Sequence, residues 1–256
     1  MSRPLALGER VLLIDAKKRR YLVVLQEGGE FHSHAGFVPH AEIVGQHEGV
    51  TVRSTRGQGY RVVRPTLADF VLKMPRGAQV IYPKDLGPML VLADISPGVR
   101  VLESGVGSGA LSMSMVRAGA HVTGYELRED FATRATANLV SFLGEEALTR
   151  YRVEIRDCYE GIDASVDRVV LDLPEPWRVV DHAADALEPG GILVAYTPSI
   201  TQAMQLRAAL EDGPFAMAET LEVLQRTWHV EGQAVRPDHR MVAHTGFLTH
   251  ARLIGR

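Results

Sequence analysis

Residues Val99 to Ala110, VRVLESGVGSGA, place a short apolar run directly before three glycines at alternate positions, Gly105, Gly107 and Gly109. The run has the composition of a buried strand and the residues after it repeat with helical spacing, so the glycines fall at a strand-to-helix turn. Glycine there lets the backbone approach a ligand closely and present N–H groups at a helix N-terminus. A chain built around such a turn alternates strands and helices and binds a nucleotide-like ligand at the strand ends.

Two ligand classes fit the turn itself. Gly105, Gly107 and Ala110 match the dinucleotide pattern G-x-G-x-x-G/A, and Glu126 follows Gly107 by 19 residues, where such folds hold a ribose. Glu103 extends the motif to E-x-G-x-G-x-G, and the next three expected strands each close on an acid: Glu126 in HVTGYE, Asp157 in YRVEIRD and Asp172 in VDRVVLDL. S-adenosylmethionine uses such a set, with backbone for its methionine end, one carboxylate for the ribose hydroxyls and another for the adenine amino group. A dinucleotide site needs only the first acid, so a nicotinamide-dependent oxidoreductase is the less favoured alternative.

The 256 residues, 46% hydrophobic and 23% charged, suit a soluble chain with one large domain or a medium and a small one. No apolar run approaches the roughly 18 to 20 residues of a membrane span, and the N-terminus lacks a long apolar signal region; the expected location is cytoplasmic. Cys158 is the only cysteine, which excludes an intrachain disulfide and a cysteine metal cage; it is expected to be a small, partly buried hydrophobe. The net charge of −3 is uneven: residues 1–84 carry 13 Lys and Arg against 7 Asp and Glu, or +6, and the remainder −9. A basic first third on an acidic remainder is what a polyanion-binding module attached to an enzyme looks like.

In chain order, residues 1–66 read as a small β-rich domain and 67–256 as an α/β domain. Val11–Ile14 and Tyr21–Leu25 form an expected hairpin around the charged link Asp15–Arg20, and Gly57–Gly59 turn a second one in VTVRSTRGQGYRVVRP. Lys17, Lys18, Arg19, Arg20, Arg53, Arg56, Arg61 and Arg64 supply most of the positive charge. His32, His34 and His40 lack a third ligand at metal spacing, so loop packing or phosphate contacts are expected of them and no metal site. Thr66 caps a short helix carrying Leu67, Phe70, Val71 and Met74, ended by Pro75, and Val80–Asp85 is read as extended. From residue 90 strands and helices alternate, through a Pro189-Gly190-Gly191 turn, until residues 215–231 and 240–254, which read as two long antiparallel strands. Class I methyltransferases close their sheet in that way.

RPTLADFVLKMPRGAQVIYPKD at 64–85, VLESGVGSGALS at 101–112, GYELRED at 124–130, VVLDLPEPW at 169–177, LEPGGILVAYTPSITQ at 187–202 and HTGFL at 244–248 together resemble the bacterial and archaeal tRNA (adenine-58-N1)-methyltransferases, across nearly the whole chain. The resemblance implies a Rossmann-like class I methyltransferase domain, its mostly parallel seven-stranded sheet ending in an antiparallel hairpin, with a small β-rich N-terminal domain that helps hold tRNA. It also implies a homotetramer, S-adenosylmethionine as methyl donor and S-adenosylhomocysteine as product.

Carried over by motif, Ser104, Gly105, Val106, Gly107, Ser108, Gly109 and Ala110 wrap the methionine end, Glu126 holds the ribose and Asp157 the adenine edge; Phe131 and Asp172 complete the cofactor set. Val106 stands where alanine is frequent. Asp172 and Tyr82 are the expected catalytic residues, Asp172 beside the target base and Tyr82 stacked on it or on its neighbour. Trp177 lies too far from Asp172 for the D/N-P-P-Y/F pattern of exocyclic N6 methylation, and is expected to dock its helix on the sheet. A non-catalytic tRNA-binding partner subunit is a further alternative; such a subunit usually loses its cofactor motif, and here the glycines and all three acids are present.

Overall fold

The computed structural model describes residues 3–77 and 79–255, in two compact units that divide between Met74 and Pro75. In the first unit, strands β1 (Arg10–Asp15), β2 (Arg20–Val24), β5 (Thr51–Arg53) and β6 (Gly59–Val63) form an antiparallel sheet in the order β2-β1-β6-β5. A separate hairpin pairs β3 (Glu30–Ser33) with β4 (Gly36–Pro39). Leu13, Leu25, Val38, Ile43 and Val62 are fully buried, and the rings of Tyr21, Phe31 and Tyr60 meet at 5.1 to 6.2 Å.

Helix α1 (Leu67–Lys73) also belongs to this unit, so the division lies beyond the expected 66/67. Thr66 and Asp69 cap it reciprocally, Phe70, Val71 and Met74 are buried, and Arg20 donates to Asp69 at 2.6 Å.

The second unit opens with α2 (Pro83–Leu92). Pro83, Lys84 and Asp85 thus form a first helical turn rather than an extended segment. Gly87 and Pro88 disguise the helix in the sequence, yet Pro83 suits a first helical position and Asp85, Leu86 and Met89 bury the inner face. The sheet that follows holds β7 (Arg100–Ser104), β8 (His121–Glu126), β9 (Tyr151–Ile155), β10 (Val166–Leu171), β11 (Leu187–Thr197), β12 (Phe215–Glu222) and β15 (Phe247–Leu253). Their order is β12-β15-β11-β10-β7-β8-β9, parallel except for β15, which runs antiparallel to both neighbours.

Helices α3 (Ala110–Arg117), α4 (Glu129–Leu143), α5 (Val180–Ala186) and α6 (Ile200–Asp212) connect or flank the strands. Pro189, Gly190 and Gly191 lie within the paired span of β11, at a register shift against β10, rather than in a free turn. The two long C-terminal strands are shorter than expected. Between β12 and β15 the chain makes its own ribbon, β13 (Trp228–Glu231) against β14 (Ala234–Pro237), turned at Gly232 with φ +56°. Cys158 lies in the core beneath the sheet, with Leu171, Leu193 and Leu206. Among the described residues, no helix is long and apolar enough to cross a membrane.

Candidate active site

β7 lies at the middle of the parallel sheet, and its C-terminal end is held on both sides: Asp172 N donates to Ser104 O at 2.9 Å and Gly105 N to Tyr125 O at 3.2 Å. The chain then leaves the sheet with Gly105 at φ +86°, where a β-carbon would stand 2.1 Å from the carbonyl oxygen of Asp172. Gly109, at φ +82°, lies against α4, where a β-carbon would meet Ala135 at 3.1 Å. Both glycines are required by left-handed backbone and by close approach. Asn138 of α4 fastens the turn from outside, its Nδ2 donating to Ser108 O at 3.0 Å and to Pro75 O at 2.9 Å.

The cavity above this turn is lined by Gln79, Val80, Ile81, Glu103, Gly105, Val106, Gly107, Ser108, Ala110, Leu111 and Asp172. Six of the expected residues therefore meet here: Gly105, Val106, Gly107, Ser108, Ala110 and Asp172. Ser104 forms the buried floor and Gly109 the start of α3. Val106 turns toward the sheet, its Cγ2 packed where a side chain on Gly124 would stand.

Glu126 is tied to the same turn, accepting from Gly107 N and from Arg128 N, each at 3.0 Å. Asp157 accepts from Tyr159 N at 2.9 Å and so caps the short turn Cys158–Glu160. Phe131 stands apart from the cavity lining, beneath the guanidinium of Arg128 at 3.9 Å with that of Arg134 at 5.7 Å. Trp177 lies on the short turn Pro176–Val179 ahead of α5, half-buried and away from the cavity lining.

The electrostatics of the cavity are unusual. Glu103 is buried and its carboxyl is pushed up to about 8, chiefly by desolvation and further by the charges of Asp172 and Glu126, against a lowering hydrogen bond from Ser112. Burial, with the Glu126 charge, raises Asp172 to about 7. Among the described residues, neither carboxyl is paired with a cation, and that of Asp172 accepts no hydrogen bond. A site with this surplus of acid favours a cationic ligand.

S-adenosylmethionine fits these residues. Ser108 Oγ is buried in the glycine turn with no hydrogen-bond partner among the described residues, the α3 N-terminus offers backbone donors for a carboxylate, and Glu103 and Asp172 line the same cavity with acid that suits a cationic group.

Beside the cavity lies a network absent from the expectations. Lys84, 3% exposed, pairs with the fully buried Asp85 at 2.8 Å and donates to Val223 O at 2.6 Å. Thr245 Oγ1 donates to Asp85 Oδ2 at 2.7 Å, and Tyr196 donates to Thr245 O. Tyr196 is pushed up to about 12 by burial, with the charges of Asp85 and Asp172 adding. The half-buried Tyr82, at the N-cap of α2, stands two residues before Lys84. Gln79, Leu111 and Ser112 were also not singled out, since serine and leucine at helical spacing carry no signal of their own.

In the N-terminal unit, the basic turn folds around Asp15, which accepts from Lys17 N and Arg19 N at 2.9 Å and pairs with Arg19 Nε at 2.6 Å. Arg64 pairs with Glu9 and Glu48. His40 is buried and its Nδ1 accepts from Gln26 N, while His32 pairs with Glu30. Among the described residues, no cluster of His, Cys, Asp and Glu is arranged to hold a metal.

Comparison with known proteins agrees with this geometry. The tRNA methyltransferase complex GCD14 subunit family matches residues 60–236, and the TrmI-like N-terminal family matches residues 4–52. The chain is 41% identical to the tRNA (adenine(58)-N(1))-methyltransferase TrmI of Thermus thermophilus, over 94% of this chain and 96% of that one. It is 34% identical to the tRNA (adenine(57)-N(1)/adenine(58)-N(1))-methyltransferase TrmI of Methanocaldococcus jannaschii, over 94% of each. Among solved structures, a SAM-dependent O-methyltransferase from Thermotoga maritima superposes with a TM-score of 0.94 at 33% identity, covering 99% of this chain and 96% of that one. The tRNA (m1A58) methyltransferase TrmI of Aquifex aeolicus superposes with a TM-score of 0.87 at 27% identity, covering 99% and 100%.

Proposed function

From the premise that this chain belongs to the tRNA methyltransferase family matched over residues 60–236, we propose that it transfers a methyl group from S-adenosylmethionine to N1 of adenine 58 in the T-loop of tRNA. The observation that carries this reading is Asp172: a carboxyl with no hydrogen-bond partner among the described residues, just past the end of β10, lining the cavity formed by the glycine turn.

S-adenosylmethionine supplies an electrophilic methyl on a cationic sulfur and leaves as S-adenosylhomocysteine. The protein's residues do the rest. N1 of adenine already carries a lone pair, so no base is needed to create the nucleophile. Methylation leaves a positive charge shared between the ring and the N6 amino group, and Asp172, accepting a hydrogen bond from N6, gains strength as that charge grows. Tyr82 stacks on the target base or its neighbour. Glu126 takes the ribose hydroxyls, exchanging its bond to Gly107 N for them, while Asp157 reads the adenine edge of the donor and Phe131 bounds it. Ser104 to Ala110 hold the methionine end. The N1 edge is hidden in the folded T-loop, so the base is extruded to react.

The same reading assigns the β-rich unit to tRNA, without a metal, and places the enzyme in the cytoplasm as a homotetramer. Exposed Trp228, Val230, Val235, Met241 and Val242 on and beside the β13–β14 ribbon supply apolar surface for such an assembly.

Methylation of an oxygen is the second reading, favoured by the Thermotoga maritima neighbour. A hydroxyl must lose its proton to react, and Asp172, pushed up to about 7, would serve as its base. Mass spectrometry of nucleosides from unmodified tRNA incubated with protein and methyl donor separates the two. The proposal expects 1-methyladenosine; a ribose-methylated product, or none, contradicts it.

A further inference from the structure

Glu103 sits where three carboxyl groups converge. It is the penultimate residue of β7, with Glu126 at the end of the neighbouring β8 and Asp172 just past the neighbouring β10. Its side chain is 1% exposed, and its Oε2 accepts from Ser112 Oγ at 2.5 Å. Ser112, the third residue of α3, is fully buried. On its far side the Tyr151 hydroxyl, carried on β9, points at Ser112 Oγ from 3.5 Å. The groups facing Glu103 are therefore Ser112 from α3, Tyr151 from β9, and the acids Glu126 and Asp172. Among the described residues, none of the cations pairs with it. A carboxyl in this setting holds its proton until a positive charge arrives or the surrounding charges change.

The cavity is the one assigned to S-adenosylmethionine under the proposed function, and the inference rests on that reading. We propose that Ser112 is a positioning residue whose hydroxyl, bonded to Glu103, sets the pH at which that carboxyl gives up its proton, so that binding of the cationic methyl donor is coupled to proton release. The proton passes from Glu103 to solvent, no bond of the donor changes, and the carboxylate left behind balances the ammonium and sulfonium charges. Ser112 favours this ionised form because its O–H can donate to either state but binds the charged one more strongly. The desolvated Glu103, already pushed up to about 8, is protonated for most of the protein at neutral pH. S-adenosylhomocysteine lacks the sulfonium charge and draws off less proton.

Isothermal titration calorimetry of the full chain at pH 7.5, in phosphate and in Tris, reads the coupling directly from the dependence of binding heat on buffer ionisation. Wild type is expected to release about half to one proton per S-adenosylmethionine bound and less per S-adenosylhomocysteine. Its affinity should rise with pH up to nearly tenfold per unit below the midpoint and level off above it. Ser112→Ala should move that midpoint upward by about one pH unit, the effect of losing a hydrogen bond to a charged group. Tyr151→Phe, which keeps the packed volume, should move it less and in the same direction. Glu103→Gln should abolish most of the release. A purely structural role for Ser112 would weaken binding equally at every pH, and that result overturns the inference. Binding of S-adenosylmethionine without proton release overturns it as well. No binding of S-adenosylmethionine by the wild-type chain overturns the reading of the cavity, and this inference with it.

Discussion

One side chain and one missing side chain decide the chemistry. The Asp172 carboxyl is held well above the ordinary aspartate range, because burial and the Glu126 charge favour its neutral form. A carboxyl whose folded value is raised to about 7 contributes stability that is complete below pH about 3.8 and lost as the pH climbs through 7. Asp172→Asn should therefore be more stable than wild type at pH 8 and lose that advantage near pH 4, as measured by urea unfolding at both pH values. The same substitution should lower methyl transfer about 10²- to 10³-fold when measured at saturating donor. Gly105 has the opposite character, since what matters is the absent β-carbon: with φ at +86° and Asp172 O at 2.1 Å from where it would stand, alanine there must displace β7 from β10. Gly105→Ala should cost about 2 kcal/mol or more in urea unfolding, and wild-type stability would refute the close approach. The three glycines and the acids were legible in the sequence because backbone need and charge leave type-specific traces. The Ser112–Glu103 bond was not, because a serine nine residues after a glutamate carries no spacing signal until strand and helix are packed.

At the level of elements, the alternation of β7 through β11 with their helices follows the apolar periodicity closely, and Thr66 marks the start of α1 as its side chain predicts. Where the reading departed from the structure, packing overrode local propensity. Gly87 and Pro88 mask α2, which is held by buried Leu86 and Met89 and by a buried ion pair between residues adjacent in sequence. The terminal strands were read as continuous because the β13–β14 ribbon has strand composition too; only the turn at Gly232 separates it. The Lys84–Asp85 pair carries a prediction. Lys84→Met leaves a buried carboxylate with one hydroxyl donor, Thr245, and should cost about 3 to 5 kcal/mol. Lys84→Met with Asp85→Leu should cost less than the single change in the same denaturation series, because it removes both charges. Equal or greater loss in the double variant would show that the pair is not the source of the effect.

For the whole molecule, the contrast between a basic first third and an acidic remainder was visible in the charge count, while the boundary was not, since the first compact unit runs on through α1 to Met74. Several of the cations in that basic third are spent internally: Arg19 on Asp15, Arg20 on Asp69, and Arg64 on Glu9 and Glu48. Lys17, Arg53 and Arg61 are exposed, and replacing all three with Glu should weaken tRNA binding and flatten its salt dependence, by about one unit of log-log slope for each phosphate that is no longer neutralised. An unchanged dissociation constant from low to high salt would remove the first unit from tRNA recognition. The central claim is that an extruded adenine 58 is methylated on N1 beside Asp172, and primer extension across the reacted tRNA tests it most directly, because a methyl on that edge blocks base pairing. The account predicts a new stop immediately before position 58 with the wild-type protein and almost none with Asp172→Asn at equal donor occupancy. A stop at another position, or an equally strong one from the variant, would contradict it.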